Sequence, residues 1–253
     1  MKNIRIIPRL DIKGPNVVKP VQTEALRVIG NPKELANRYY QEGADELIYL
    51  DIVASLYQRN LDLDLLKSVA ENIFIPITVG GGIRSIHDIN NVLRSGADKI
   101  AINTYAVKHP DFIGHAVREF GSQCIVLYVE AKRQIDGSYE VYTDGGREKT
   151  GVEVINWVKK AIDLGIGEIL LTSIDRDGTR NGFDLKLLKE ISSFSPIPVI
   201  AHGGAGSPDS LKEAILDAKI DALGISTIFH YNEYSIPEIK TCLSKDNINV
   251  RII

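Results

Sequence analysis

The chain has 253 residues and a formal charge of −3; 44% of its residues are hydrophobic and 25% charged. This is the composition of a soluble globular protein, and the small negative charge gives no attraction for a nucleic-acid backbone or an acidic membrane surface. No apolar run approaches the ~18 residues of a membrane span. Met1-Lys2-Asn3-Ile4-Arg5 leads into a strand and lacks the pattern of a signal peptide. Cys124 and Cys242, expected in buried or helical positions, form neither a disulfide framework nor a metal-ligand spacing, which suits a reducing cytosol.

In chain order, short apolar runs alternate with helix-period segments. The predicted strands are Ile4–Ile12, Glu46–Ile52, Ile75–Val79, Lys99–Ile102, Cys124–Glu130, Glu168–Thr172, Pro198–Ala201 and Ala222–Ile225. Between them, amphipathic spacing predicts helices over Pro32–Glu42, Asp62–Glu71, Ser85–Arg94, Pro110–Phe120, Val152–Leu164, Asp184–Ser192 and Pro208–Ala218. Asn31-Pro32, His109-Pro110-Asp111 and Ser207-Pro208-Asp209 read as helix starts with Pro in the first turn. Gly43, Gly96 and Gly165 each follow a helix and precede a strand, as C′ glycines do. Strict alternation implies a parallel sheet. Eight units at a length near the ~250 residues of a typical (β/α)8 barrel predict one closed TIM barrel as a single domain, residues 1–253. A doubly wound open sheet is the structural alternative.

The chain also repeats itself at about half its length. Leu50-Asp51-Ile52 is echoed by Ser173-Ile174-Asp175, Val79-Gly80-Gly81-Gly82 by Ala201-His202-Gly203-Gly204, and Ile102-Asn103-Thr104 by Ile225-Ser226-Thr227. Asp11, ending the first strand, is echoed by Glu130, ending the fifth. Two half-barrels of four units each account for this pattern.

In such barrels the chemistry sits where strands end and βα loops begin. Four small-residue signals fall there. Gly80-Gly81-Gly82 and Asn103-Thr104 make one pair, and Gly203-Gly204-Ala205-Gly206 and Ser226-Thr227 the other. Glycines let backbone N–H groups approach an anion, and a following helix start adds positive potential. Two half-sites would therefore hold two phosphates far apart on one ligand; alternatively the glycines only make tight turns. Asp11 and Glu130 are carboxylates on otherwise apolar strands. They are candidates for general acid–base work, or else cap loops or pair with Arg9 and Lys19. Asp51, Asp175 and Asp177 also ring the mouth, to orient loops or bind substrate hydroxyls. Lys19 lies in a long connection, Lys13–Gly30, of a length able to close over a ligand; a solvated surface lysine is the alternative. His87, His109 and His115 read as helix-surface or cap residues, and His202 stands beside the second glycine run, where a cation helps hold phosphate. The five histidines form no metal cluster, and no cofactor is called for. At the opposite end, Arg5, Glu46, Lys99 and Glu168 open their strands. They form either a structural salt-bridge plug or a gate.

Together these residues resemble one family over essentially the whole chain, the cyclase subunit of imidazole glycerol phosphate synthase from histidine biosynthesis. The matching stretches are Ile6-Ile7-Pro8 with Leu10-Asp11, Gly43-Ala44-Asp45-Glu46-Leu47, Thr78 to Arg84, Gly96-Ala97-Asp98-Lys99, Phe120-Gly121-Ser122-Gln123, Ala131-Lys132-Arg133, Glu168 to Thr179 and Gly203 to Gly206. The run Ile169–Thr179 separates the chain from the related sugar-isomerase barrel of the same pathway.

The resemblance implies a heterodimer with a glutaminase docked on the bottom face. Ammonia then passes the Arg5/Glu46/Lys99/Glu168 ring. At the top it meets a bisphosphorylated ribulosyl aminoimidazole-carboxamide nucleotide, giving imidazole glycerol phosphate and the free carboxamide ribonucleotide. It implies Asp11 and position 130 as acid–base residues. Substrate and phosphate contacts fall to Lys19, Asp51, Gly81, Gly82, Asn103, Thr104, Thr172, Asp177, Gly178, Gly203, Gly204 and Ser226.

The chain departs from the family pattern at five places. Glu130 stands for the usual Asp, Arg9 for a small Cys, Tyr128 for Ala, His202 for Ser and Pro20 for Gly. Arg9 shares a strand face with Asp11, and Tyr128 with Glu130, so the changes cluster inside the site. They leave two further readings beside the cyclase. One is a paralogue that channels ammonia for amidation of a surface-polysaccharide sugar; the other is a non-catalytic scaffold that activates the glutaminase.

Overall fold

The computed structural model describes residues 3–252. Met1 and Lys2, read above as leading into the first strand, and Ile253 lie outside the described residues. The first half runs β1 (Arg5–Lys13), β2 (Asn16–Val21), β3 (Glu24–Gly30), α1 (Pro32–Gln41), β4 (Leu47–Asp51), α2 (Leu63–Ala70), β5 (Ile77–Gly80), α3 (Ile86–Arg94), β6 (Lys99–Ile102), α4 (Thr104–Lys108) and α5 (Asp111–Phe120). The second runs β7 (Ile125–Arg133), β8 (Tyr139–Thr143), β9 (Glu148–Glu153), α6 (Val154–Asp163), β10 (Glu168–Ser173), α7 (Leu185–Ser192), β11 (Val199–His202), α8 (Pro208–Ala218), β12 (Ala222–Ile225), α9 (Thr227–His230) and α10 (Ile236–Lys245).

Eight strands pair in parallel in the order β10-β11-β12-β1-β4-β5-β6-β7, and β7 pairs back onto β10. The sheet closes, so the barrel holds and the open doubly wound alternative does not. The two halves carry the same elaboration. β1 and β7 are the longest barrel strands, and each continues beyond the rim into an antiparallel hairpin, β2–β3 on β1 and β8–β9 on β7.

Local chemistry sets the helix boundaries. The side chain of Asn31 accepts from the N–H groups of Lys33 and Glu34 with Pro32 in the first turn. Ser207 and Ser210 form a capping box over α8. The reading of His109-Pro110-Asp111 needs correction, because Pro110 stands at the N-cap and supplies no side-chain bond, while His109 ends α4. β9 runs through Glu153, so the helix predicted from Val152 starts at Val154, capped by the Glu153 carboxylate. Both hairpins, α4, α9 and α10 go beyond the predicted elements. The hairpins replace what had been read as loop or helix start. α10 carries a legible signal in Ser235-Ile236-Pro237-Glu238, which forms a capping box.

Side chains alternate along each barrel strand. Outward-facing Ile6, Leu10 and Ile12 join the large core under the helices. Inward-facing Ile7 packs with Ile48, Leu50, Val126, Leu170, Ile200 and Ala222 to fill the barrel's middle. Below this apolar layer lies the charged ring, and above it the polar residues of the mouth. Among the described residues no helix is long and apolar enough to cross a membrane.

Leu170 is fully buried at the centre of that layer. Leu170→Ala is expected to destabilise the fold by about 2–5 kcal/mol, read as a lowered denaturation midpoint with an unchanged slope.

Candidate active site

The strand-end residues converge at the C-terminal mouth. β1 delivers Arg9 and Asp11 on its inward face, and β7 delivers Tyr128 and Glu130 on the opposite wall. Asp11 and Glu130 are both buried, as their placement on inward strand faces requires. They do not confront each other across open space. Arg9 Nε donates to Asp11 Oδ1 at 2.8 Å, Arg9 Nη2 donates to the Tyr128 hydroxyl at 3.1 Å, and that hydroxyl donates to Glu130 Oε1 at 3.0 Å. The carboxylates are the two ends of one continuous chain of hydrogen bonds. Asn103 Nδ2 donates to the other oxygen of Glu130 at 2.9 Å.

Arg9 reaches two further strands. Its Nη1 donates to Thr172 Oγ1 at 3.0 Å and meets His202 Nδ1 at 3.1 Å. Since a guanidinium only donates, Nδ1 is the acceptor and the ring proton sits on Nε2, which donates to Ser226 Oγ at 3.3 Å. The Ser226 hydroxyl then donates to the Arg9 carbonyl at 3.2 Å. Burial, followed by the charges of Arg9 and Lys19, holds His202 well below the usual imidazole range. His202 is therefore neutral, and the cationic role read for it beside phosphate is corrected: burial and the nearby Arg9 and Lys19 disfavour its proton.

Lys19 is buried and pairs with Asp177 at 2.8 Å, with Asp11 Oδ2 at 3.9 Å. This excludes the solvated-lysine alternative. β2 carries Lys19 inward, while at the hairpin tip the Gln22 N–H donates to the Asp177 carbonyl and its side chain to the Asp175 carbonyl. Gly178 packs against Pro20 and Val21, so any side chain there would strike the Pro20 carbonyl. The long first connection is thus folded down over the mouth. Asp175 orients a loop by accepting from the Arg133 N–H at 2.8 Å. Asp51 does the same, taking the Val53 N–H and an ion pair with Arg59 at 2.8 Å.

The two glycine runs match in space as in sequence. Gly81 has φ +108° and lies so close to the Asp51 carbonyl that no Cβ fits; Gly203 has φ +92° and makes the equivalent approach to the Ser173 carbonyl. Each is followed by a second glycine, Gly82 or Gly204, also at positive φ. Asn103 and Ser226 take the same unusual backbone conformation before α4 and α9, with φ −130°, ψ −88° and φ −122°, ψ −70°. The tight-turn requirement is thus met at both. Gly81, Gly82, Asn103 and Thr104 line a cavity of about 860 Å³, together with Asp51, Tyr128 and Glu130. A second, small cavity of about 20 Å³ is bounded by Arg9, Tyr128, Glu130, Thr172 and Asp177.

The large cavity has walls that sequence reasoning missed. Thr143, Asp144, Gly145, Lys149 and Thr150 of the β8–β9 hairpin close one side, with the Asp144 N–H donating to Thr104 Oγ1 at 3.1 Å. The available signal was the strand-like alternation of Tyr139–Thr143 ahead of Gly145-Gly146, a hairpin pattern.

At the other end of the barrel the four predicted residues form a closed alternating ring. Arg5 bonds Glu46 at 2.7 Å and Glu168 at 2.6 Å, and Lys99 bonds the same two carboxylates at 2.9 Å each.

A closed parallel barrel with paired carboxyl groups and matched glycine turns at its C-terminal mouth defines a (β/α)8-barrel protein of the half-barrel-repeat class. A model of the family described as "Histidine biosynthesis protein" matches residues 5–235. Relatives include three proteins, each named imidazole glycerol phosphate synthase subunit HisF. The one from Legionella pneumophila is 60% identical, covering 81% of this chain and 97% of that protein. Those from Alkaliphilus metalliredigens and Methanocaldococcus jannaschii are 49% and 48% identical, each over 98% of both chains. The chain belongs to the HisF family of histidine-biosynthesis barrels.

Burial raises the Glu130 carboxyl to about 7, against the opposing pull of Arg9, the Tyr128 hydroxyl and the Gly146 N–H, with Asp11 adding a smaller push upward. A carboxyl raised on folding stabilises the fold at low pH. That contribution is present below the unfolded value near 4.5 and is lost as pH climbs to about 7. The loss amounts to about 3 kcal/mol. Glu130→Gln removes the titration, so the stability difference between variant and wild type should shift in the variant's favour between pH 5 and 8 and then level off, as followed by urea denaturation across pH.

Proposed function

We propose that this chain is the cyclase subunit of imidazole glycerol phosphate synthase. In this role it combines ammonia with the bisphosphorylated ribulosyl aminoimidazole-carboxamide nucleotide and releases imidazole glycerol phosphate and aminoimidazole-carboxamide ribonucleotide. The observation that carries the reading is near-half identity to synthase subunits over 98% of the chain. It is supported by a cavity large enough for a nucleotide-sized ligand, lined by the buried Glu130, to which the buried Asp11 is joined through Arg9 and Tyr128. The three relatives all bear synthase-subunit names, which lends nothing to the surface-polysaccharide alternative.

In this reading Asp11 and Glu130 move protons on either side of the reacting carbon as the imine forms and the ring closes. Neutral Tyr128, whose phenol burial pushes well above its ordinary value, and Asn103 hold Glu130 in place. Gly81, Gly82, Asn103 and Thr104 cradle one phosphate, and Gly203, Gly204 and Ser226 the other. Lys19, Asp51, Thr172, Asp177 and Gly178 complete the walls. The first hairpin, tied down through Lys19 and Gln22, keeps water from the intermediate.

The relatives' designation as subunits supports a partner. We assign a glutaminase to the bottom face, in a cytoplasmic complex, with the Arg5/Glu46/Lys99/Glu168 ring as the ammonia entry. Each side chain of that ring is held by two ion pairs, so passage requires at least one to open.

Purified protein supplied with an ammonium salt is expected to turn over the ribonucleotide without a partner. Asp11→Asn should lower that rate by at least about 100-fold, as loss of an acid–base group does; wild-type protein that is folded yet inactive would exclude the cyclase reading. Lys99→Ala should leave the ammonium-dependent rate near wild type but uncouple glutamine hydrolysis from product formation in the complex. Tight coupling in that variant would return the ring to a purely structural role.

A further inference from the structure

Four buried charged side chains at the mouth balance one another. Arg9 pairs with Asp11 at 2.8 Å, Lys19 with Asp177 at 2.8 Å, and Lys19 also stands 3.9 Å from Asp11. Two cations and two carboxylates leave no net charge. Glu130 is a third carboxyl in the same volume, and the groups that touch it are of another kind. From β7 itself comes the Tyr128 phenol, from the β6 end the Asn103 amide, and from the β8–β9 turn the Gly146 N–H. The strand beside it, β10, presents the uncharged Thr172. The charges that act on it are those of Arg9 and Asp11 on β1, themselves paired, and Arg147 of the second hairpin shares the small cavity beside it. His202 on β11 is neutral.

We propose that Arg9 is a positioning residue that makes the two carboxyl groups unequal: it holds Asp11 as the standing anion and leaves Glu130 to carry and donate the mobile proton. The proposal deepens the cyclase reading and rests on it for the identity of the reaction. The geometry has two parts. First, Arg9 grips Asp11 directly and reaches Glu130 only through the Tyr128 hydroxyl, so its charge is spent on one partner and relayed weakly to the other. Second, Glu130 and Tyr128 line the large cavity, whereas Asp11 is not among its lining residues. The proton-bearing group faces the ligand space and the anion sits behind Arg9. Two carboxyl groups with opposed environments divide acid and base roles between them. A site without a cation between them would share one proton over both, and the pair would titrate as a unit. His202 and Thr172 fix the other edge of the guanidinium, so Arg9 cannot swing to serve Glu130 without breaking both contacts.

The test is carbon-13 NMR of the full chain labelled at Asp and Glu side-chain carboxyls, titrated from pH 5 to 9. Glu130→Gln and Asp11→Asn assign the two signals. In wild type, the Glu130 signal alone is expected to move through neutrality. In Arg9→Gln, both signals should move in that window, and Arg9→Lys, which keeps the charge, should restore the single titration. The alkaline limb of the ammonium-dependent rate should follow, displaced by at least half a pH unit in Arg9→Gln and restored in Arg9→Lys.

Wild-type protein in which the moving signal disappears with Asp11→Asn and survives Glu130→Gln overturns the proposal, and needs no Arg9 variant to be folded. So does an Arg9→Gln titration indistinguishable from wild type. These spectra are read without substrate. A failure to turn over the ribonucleotide would therefore remove the cyclase reading and leave the partition of the two carboxyl groups still measured.

Discussion

A charge inside a barrel must find its counter-charge, and that constraint organises both ends of this molecule. Taking an ion out of water costs several kcal/mol, recovered only when its partners are close and well oriented. At the bottom, Arg5, Glu46, Lys99 and Glu168 meet it as a closed square in which every group has two partners. At the mouth, Arg9 meets it by touching four strands at once: Asp11 on its own, Tyr128 on β7, Thr172 on β10 and His202 on β11. Between these two polar storeys the barrel is filled by Ile7, Ile48, Val126, Leu170 and Ile200. That apolar layer keeps the dielectric low on both sides, which strengthens the ion pairs and penalises any charge left over. Glu130 is bonded there to Tyr128 and Asn103 and not to a cation, and burial raises its proton affinity.

The half-barrel repeat explains where the parts lie, and its breaking explains what they do. β1 and β7 occupy equivalent positions, each carries a hairpin, and each ends on an acid. The glycine turns at Gly81 and Gly203 approach equivalent carbonyls with similar backbone angles. The side chains one step lower on the two strands are not equivalent. β1 has the cation Arg9 and β7 the phenol Tyr128, and these two meet across the axis, with the guanidinium carbon 5.2 Å from the ring centroid. A symmetric frame therefore presents an asymmetric surface, with the large cavity opening on the Asn103 side.

The frame was legible in the sequence because it depends on short-range signals. Caps at Asn31 and Ser207, C′ glycines at Gly43, Gly96 and Gly165, and apolar runs bounded by turns give eight alternating units without tertiary information. The ring at the bottom was legible as a set, since four charged residues open four strands. Both hairpins were missed because their pairing partners are the protruding ends of β1 and β7, a long-range arrangement that periodicity alone does not reveal. The fate of Arg9 was half legible. Its shared face with Asp11 followed from strand alternation, but its choice of Tyr128, Thr172 and His202 depends on side chains more than a hundred residues away. His202 was misjudged for the same reason, because a histidine beside a glycine run looks cationic until the buried arginine next to it is known.

The arrangement also constrains how a ligand approaches. The cavity reaches Glu130 from the side of Asn103, past Asp51 and the β8–β9 hairpin. A ligand there meets Glu130 first, since Glu130 lines the cavity and Asp11 does not. On the proposed reading, a ligand that engages both glycine turns at once requires the Arg9–Tyr128 bridge to yield or passes above it. Within the bridge, the contact from Arg9 Nη2 to the neutral Tyr128 phenol at 3.1 Å is weaker than the ion pair to Asp11 at 2.8 Å. Opening at Tyr128 would keep Arg9 on Asp11 and free the phenol, still bonded to Glu130, for the ligand. The Arg9–Asp11 ion pair is the strongest contact of the bridge, so it would be the part to stay fixed if the bridge opened.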